Sequence, residues 1–299
     1  MKSALSLAAL VSPVIVNGNL GMGGNPSHNM TEQAWQSAFK NPNATGTYTF
    51  TAYNVSERFP PNKTVDGWTA TIQVANITDD PDDDTPYPGI DIGVQAPDGM
   101  RVPALNSSRT NSSNWHVCIA LWTPERLKDG TLNDAQHDDG DCRSFLDEDC
   151  IKALKSIGSG YYGNEDGCMA PPQMPLTCEK HFVDHGPTYG YGMGGNLSRF
   201  KEGRTMISER PDMTSRYNAM TEDEAYDYAV RGVWTVLINW GRRDAKSWDS
   251  GDVLQPTLLC LRARNITEGS EDPNAGVRTT VYGPMALFMA LLASVLLIY

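Results

Sequence analysis

Two acidic segments hold the side chains best suited to bind a hard cation. Residues 79–84 carry five carboxylates within six positions, and Ca²⁺ prefers oxygen ligands of this kind. Asp80, Asp82 and Asp84 are the candidate ligands. The second segment, residues 134–141, lacks EF-hand spacing, because placing Gly140 at the sixth loop position puts alanine and histidine at ligand positions. The alternative interpretation is that both segments are solvated acidic loops without a cation.

Motifs of catalytic chemistry are incomplete in this chain. His181 and His185 have the spacing of a zinc protease pair, but Phe182 stands where that motif needs its glutamate base. Residues 190–195 match GxGxxG, yet the glycines, proline and sequon around them predict a mobile loop rather than a dinucleotide site. The chain has no GxSxG nucleophile motif. We therefore predict no catalytic residue. A glycoside hydrolase with two placed carboxylates leaves no motif and stays open as an alternative.

A different pattern suggests a recognition surface. No N-glycosylation sequon occurs between Asn111 and Asn196, and five of the six cysteines lie in that interval. Glycans would cover the surrounding surface and leave this part bare. Aromatic rings suit the apolar faces of sugars, so the tyrosines in this interval and one tryptophan are candidate ligand contacts. They are Trp122, Tyr161, Tyr162, Tyr189 and Tyr191. The alternative is that these rings fill the core or the loops.

The two ends of the chain read as processing signals. Residues 1–18 combine a lysine, an apolar run and small residues before a cleavage point, as in a secretory signal peptide. Small residues from Asn274 onward, a short spacer and an apolar tail match a GPI-attachment signal that removes residues 275–299. A transmembrane tail is the alternative. This arrangement of signals resembles that of GPI-anchored cell-surface proteins of fungi, although the resemblance does not extend to the body of the chain.

Sequons and net charge agree with a route through the secretory pathway. The chain has nine sequons, where chance predicts about three. The expected glycosylation sites are Asn29, Asn43, Asn54, Asn62, Asn76, Asn106, Asn111, Asn196 and Asn265. The formal charge of −12 argues against nucleic acid and anionic membranes as partners.

The six cysteines predict disulfides, because their number is even and the chain carries a secretion signal. No CxxC pair supports a structural zinc site. Proximity in the sequence favours pairing Cys142 with Cys150 and Cys168 with Cys178. Cys118 and Cys260 would then join two core strands. Spacing alone leaves fifteen connectivities possible.

Strand patterns dominate the rest of the chain. Alternating or β-branched runs predict strands at 45–54, 68–75, 90–94, 115–122, 233–240 and 257–262. Capping boxes predict short helices at 144–157 and 221–231, and a third short helix is expected at 31–40. We therefore expect a mainly β fold: an antiparallel β-sandwich of jelly-roll type, with a disulfide-bonded, cysteine-rich insertion at about 125–215. A single ectodomain would span residues 19–274.

These patterns favour a GPI-anchored, N-glycosylated cell-surface or cell-wall protein that is not an enzyme. Its expected role is structural or glycan-binding, its expected partners are the plasma membrane through the lipid and extracellular glycans, and calcium is the one cofactor considered. A secreted polysaccharide hydrolase and a calcium-dependent surface protein are the alternatives.

Overall fold

The computed structural model describes residues 30–80, 86–103, 114–160, 174–183, 189–194, 197, 200–201, 205–209, 222–242 and 253–268. Its strands are β1 Ala44–Tyr53, β2 Thr64–Ile77, β3 Tyr87–Gln95, β4 Trp115–Trp122, β5 Tyr189–Gly194, β6 Thr205–Glu209, β7 Trp234–Arg242, β8 Thr257–Leu261 and β9 Asn265–Ile266. Its helices are α1 Glu32–Ala38, α2 Asp129–Ala135, α3 Glu148–Gly160 and α4 Glu222–Arg231, with short 3-10 turns at Pro124–Arg126 and Leu176–Cys178.

The strands form two antiparallel sheets. The first sheet has the order β6-β3-β2-β1-β9, and the second has the order β5-β4-β7-β8. The prediction of a mainly β chain with a few short helices and disulfides is confirmed. All six predicted strands are present. Strands β5 and β6 lie inside the segment predicted as an insertion, yet each extends a sheet, and β5 occupies the glycine-rich segment predicted as a loop.

The first sheet follows the alternation of its sequence. In β1, Ala44, Tyr48 and Ala52 are buried, whereas the threonines between them lie on the opposite face and several are exposed. Successive side chains of a strand point to opposite faces, so this pattern buries one face and solvates the other. The pairing with β2 places Tyr48 beside Ala70 and Phe50 beside Trp68.

One hydrophobic cluster contains buried side chains from both sheets. Trp68 and Ile72 of the first sheet share it with Trp115, Ile119 and Trp240 of the second. The rings of Trp68 and Trp240 pack edge to face, with centroids 5.3 Å apart and an interplanar angle of 66°. Edge-to-face contact between large rings adds to the energy gained from their burial.

Strands β4 and β7 of the second sheet are buried on both faces. Every residue of β4 is buried, as is nearly every residue of β7. One face contributes to the cluster shared with the first sheet, and the other packs against Phe145, Leu146 and Leu154 from the segment that contains α3. Burial on both faces explains why β4 and β7 are continuous apolar runs rather than alternating ones.

Two disulfides tie the α3 segment to its surroundings and correct the predicted pairing. Cys142 is bonded to Cys260, and Cys150 is bonded to Cys178. The predicted Cys118–Cys260 bridge is wrong because β7 lies between β4 and β8. Two strand spacings separate the strands by about 10 Å, which exceeds the Cα–Cα reach of a disulfide. The predicted Cys142–Cys150 and Cys168–Cys178 pairs are also wrong, because Cys142 bonds to Cys260 and Cys178 bonds to Cys150. Cys118 is disulfide-bonded, and Cys168 lies outside the described residues.

The helix starts show one agreement and one difference. Helix α1 lies within the predicted range 31–40, and Thr31 caps it, its hydroxyl oxygen accepting a hydrogen bond from the Ala34 amide at 3.1 Å. Helix α3 begins at Glu148 rather than at the predicted Ser144. Asp147 accepts the Cys150 amide at 2.9 Å, whereas Ser144 donates its hydroxyl to Asp138. The carboxylate next to the helix therefore takes the capping role.

The chain passes from β8 to β9 at the edge of both sheets. The Tyr48 hydroxyl donates to the Arg262 carbonyl at 2.8 Å and accepts the Arg262 amide at 3.1 Å. Gly46 permits this passage, because an added Cβ would collide with the Arg262 carbonyl oxygen. Residues 262–264 are thereby held against β1.

The predicted signal peptide, the GPI signal and the attachment residue Asn274 lie outside the described residues. Within the described part of the chain, no helix is long and apolar enough to span a membrane.

Candidate ligand-binding cleft

A cleft of about 310 Å³ lies at the sheet edge, between β1 and the segment that leads into β8. Residues 48–53 of β1 and Thr64 of β2 line one side, and residues 255–259 line the other. A loop preceding α3, together with Lys155 of α3, completes the lining. The cleft thus collects residues that are some 200 positions apart in the sequence.

Aromatic rings and threonine hydroxyls line the β1 side. Tyr48 is buried, Phe50 and Tyr53 are half-buried, and Thr49 and Thr51 are exposed. The Tyr53 hydroxyl donates to the Gln255 carbonyl at 3.2 Å, which links the two sides of the cleft. Burial raises the pKa of both tyrosines, and hydrogen bonds to the backbone partly oppose that rise. The Thr51 hydroxyl donates to the Asp66 carboxylate, so this side of the cleft offers partly buried aromatic residues together with the exposed Thr49.

The loop before α3 is built around the buried carboxylate of Asp138. One carboxylate oxygen accepts the amides of Gly140 and Cys142 at 2.7 and 3.0 Å, and the other accepts the amide and hydroxyl of Ser144. A carboxylate that accepts this many hydrogen bonds fixes the loop backbone. The Cys142–Cys260 disulfide and a bond from the Cys260 amide to the Gly140 carbonyl, 3.0 Å long, join the loop to β8.

The fixed loop presents two carboxylates to the cleft. Asp139 lies 3.4 Å from the Arg264 guanidinium, and Asp141 lies 3.6 Å from that of Arg143. Their side chains are 94% and 59% exposed, so both are solvated. Arg264 also stacks on the Tyr48 ring, with its guanidinium carbon 4.6 Å from the ring centroid. Each cleft carboxylate therefore already has a cationic neighbour.

Lys155 supplies the amine of the cleft. Its side chain is half-buried, and burial lowers the pKa of its ammonium group, with repulsion from Arg143 as a second cause. Asp141 opposes this shift. Among the residues that the structure describes, Lys155 has no hydrogen-bond or ion-pair partner.

Of the aromatic residues predicted as ligand contacts, the three that the structure describes are not among the lining residues of the cleft. Trp122 is 1% exposed and packs with Phe182 in the cluster behind the second sheet, so it is a core residue rather than a ligand contact. Tyr189 and Tyr191 lie in β5, in register with Leu121 and Ile119. Tyr161 and Tyr162 lie outside the described residues.

The predicted calcium ligands do not form a site in the described residues. Asp80 is buried and accepts a hydrogen bond from the Tyr87 hydroxyl. Asp82 and Asp84 lie outside the described residues, and the described part of the chain holds no group of three side chains able to bind a metal. His181, singled out for its spacing from His185, binds the Asp147 carboxylate at 2.9 Å instead.

Three of the predicted glycosylation sites share one end of the first sheet. Asn43 precedes β1 and accepts the Asn76 amide on its side-chain oxygen at 2.8 Å, and Asn265 pairs with Thr45. Asn62, Asn76 and Asn265 are exposed, and Asn43 and Asn54 are half-buried. Asn29, Asn106, Asn111 and Asn196 lie outside the described residues. Glycosylation itself stays a prediction.

Sequence reasoning did not identify the cleft. The alternation of residues 45–54 marked a strand, and nothing local shows that its outer end faces the segment before β8. The acidic stretch at 134–141 was noticed as a possible cation site, whereas Lys155 carried no signal beyond its place in a helix.

Comparison of the chain with protein-family models, with curated proteins and with solved structures gave no match.

Proposed function

We propose that this chain is a non-catalytic, glycan-binding protein of the cell surface and that the cleft beside β1 is its ligand site. The observation that carries the proposal is the composition of the cleft: half-buried aromatic residues, an exposed threonine and two solvated carboxylates line one concavity. Its volume of about 310 Å³ is that of a small-molecule site, enough for one or two sugar rings.

A saccharide complements such a lining. The apolar face of a sugar ring packs on aromatic side chains, and its hydroxyls bond to hydroxyl and carboxylate groups. Phe50 and Tyr53 would provide the first kind of contact, and Thr49, Asp139 and Asp141 the second. Loop residues 139–141 and Lys155 also belong to the interval without sequons, which glycans of the protein itself would leave open.

The surroundings of the carboxylates favour binding over hydrolysis. A glycosidase protonates its leaving group with a carboxyl held in an apolar environment. Asp139 and Asp141 are solvated and each lies near an arginine, which is the opposite environment. Their positions suit the acceptance of hydrogen bonds from sugar hydroxyls.

We further propose that the two sheets form a β-sandwich of the jelly-roll class. The support is the single hydrophobic cluster with side chains from both sheets, and the repeated passage of the chain from one sheet to the other. A circular-dichroism spectrum dominated by helix would contradict this assignment.

For the cellular address we propose a GPI anchor on the outer face of the plasma membrane. Its support lies in the terminal sequence signals and in the excess of sequons. Treatment of cells with phosphatidylinositol-specific phospholipase C should release the protein. Retention in the membrane fraction would favour a transmembrane tail.

Glycan binding is tested by retention of the mature, enzymatically deglycosylated protein on chitin, β-glucan and mannan. We expect retention on at least one of them without release of reducing sugar. The double variant Asp139→Asn with Asp141→Asn should weaken retention about tenfold or more, since charge-assisted hydrogen bonds are lost. Asp149→Asn is the matched control, because Asp149 is exposed on α3 outside the cleft. Equal retention of the double variant and the control would remove the cleft from the proposal.

A further inference from the structure

The charges around the cleft are unevenly paired. The two carboxylates of the lining each lie within 4 Å of an arginine, Asp139 near Arg264 and Asp141 near Arg143. Lys155, the amine of the same lining, has no such partner among the described residues. Counted over these five groups, three cations stand against two carboxylates, so this set of charges in and around the cleft has one excess positive charge.

From this imbalance we infer that the cleft binds an acidic saccharide, with the Lys155 ammonium group contacting the anionic group of the sugar. The inference rests on the proposed glycan-binding function and adds the chemical class of the ligand. The anionic group is a carboxylate, as in a uronic acid, or a sulfate or phosphate ester, since each accepts hydrogen bonds from an ammonium group.

The placement of Lys155 differs from that of its neighbour on the same helix. Lys152 is exposed and pairs with Glu148 at 2.9 Å, one turn before it. Lys155 is half-buried at the edge of the cleft. A partly desolvated ammonium group without a partner is unfavourable, and a bound anion would relieve that cost. Burial also lowers the pKa of Lys155, which agrees with an ammonium group that has lost water without gaining a hydrogen-bond partner among the described residues.

The overall charge of the protein makes this position distinctive. The chain has a formal net charge of −12, so an anionic ligand is repelled by most of its surface. A site for such a ligand therefore needs a local cation that no carboxylate holds in an ion pair. Among the described residues Lys155 meets this condition, because Asp141 attracts its charge but is itself paired with Arg143. Thr49, an exposed residue of the same lining, can bond the neutral part of the ring.

Trigalacturonate and its fully methyl-esterified form make a matched pair of probes, because they share the same sugar and differ in charge. In calorimetric titrations of the mature protein we expect the acid to bind about tenfold or more tightly than the ester, and its affinity to fall with added salt. A sulfated galactose trisaccharide in a parallel arm shows whether a sulfate ester replaces the carboxylate. Preference for either charged probe over the ester supports the inference.

Lys155→Gln should remove the preference for the charged sugar, by lowering the affinity for the acid to about that for the ester. Lys152→Gln is the control and should keep the preference. Lys152→Gln should melt close to the wild-type temperature, and Lys155→Gln at or above it, because the partly desolvated charge is removed. If Lys155→Gln nevertheless proves unstable, Lys155→Arg takes its place: this variant keeps the charge and should retain the preference. Equal binding of acid and ester, unaffected by Lys155→Gln, would overturn the inference and leave the glycan-binding function intact. If no probe binds and no polysaccharide retains the protein, the proposed function itself fails.

Discussion

Gly140 is the position where we expect a single methyl group to do most damage to the cleft. Its φ is +103°, a conformation that residues with a Cβ rarely adopt. An added Cβ would also collide with Cδ1 of Tyr48 and lie 3.1 Å from two further ring atoms. Tyr48 cannot move easily, because it is buried and its hydroxyl makes two bonds to the Arg262 backbone. Gly140→Ala therefore combines backbone strain with overpacking.

The magnitude follows from these two contributions. A residue with a Cβ held at positive φ costs about 1–2 kcal/mol, and an extra methyl group in a packed region costs about 1–3 kcal/mol. The free energy of unfolding of Gly140→Ala should thus fall by about 2–5 kcal/mol. For a domain of this size, at about 2–4 °C per kcal/mol, that loss lowers the melting temperature by about 4–20 °C.

Alanine variants at two further glycines distinguish the cost of backbone strain from the cost of overpacking. Gly99 has a φ of +79° and nothing within 4 Å of an added Cβ, so Gly99→Ala should cost only the strain, about 1–2 kcal/mol. Gly130 in α2 has the same open space without a positive φ, and Gly130→Ala should be neutral or stabilise by up to about 1 kcal/mol. Urea unfolding of the three variants under oxidising conditions measures the series. If Gly140→Ala loses no more stability than Gly99→Ala, the argument from contact with Tyr48 is refuted.

Three other predictions concern acid stability, the edge of the sheets and the disulfides. Hydrogen bonds from Lys180 and His181 hold the pKa of the Asp147 carboxyl well below its usual range. The contribution of this carboxylate to the free energy of unfolding is therefore present above about pH 4, and it is lost as the pH falls towards the pKa of the folded state. Asp147→Asn should therefore lower the melting temperature at pH 7 and flatten its decline between about pH 5 and 2; parallel curves for variant and wild type would contradict this. Tyr48→Phe leaves the backbone groups of Arg262 without their partner and should cost about 1–3 kcal/mol in urea unfolding, whereas Tyr53→Phe, at a half-buried site, should cost less. Non-reducing peptide mapping should link Cys142 to Cys260 and Cys150 to Cys178, which leaves Cys168 as the expected partner of Cys118; a Cys118–Cys260 peptide would contradict the strand order.

Local patterns in the sequence were sufficient to locate the strands whose residues alternate or form continuous apolar runs. Alternating threonine and aromatic residues located β1, and the apolar runs located β4 and β7, because burial on one or two faces dictates those patterns. Strand β5 was missed because it is rich in glycine and forms through pairing with β4 rather than through the preferences of its own residues.

The cleft and the disulfides depend on contacts between distant segments. Cys118 and Cys260 both lie in core strands, but only the strand order shows that β7 separates them. Likewise, the contact of the Asp138 loop with Tyr48 depends on the Cys142–Cys260 bond and on the passage from β8 to β9. Spacing along the chain carries no information on these neighbours.

The strand order also has a consequence for biosynthesis. Strands β1, β2 and β3 are consecutive and can pair as soon as they are made, but the apolar face that holds Trp68 and Ile72 shares its cluster with β7, which begins about 140 residues after β3 ends. At about 5–20 residues per second, β4 can begin to cover that face after roughly 1–4 s, whereas β7 follows only after roughly 10–30 s. Asn43, Asn54, Asn62 and Asn76 all lie on or beside the waiting strands. On the secretory route proposed above, oligosaccharides added at these sites during synthesis would keep the nascent chain soluble while its apolar surface is exposed, until the later strands have been synthesised.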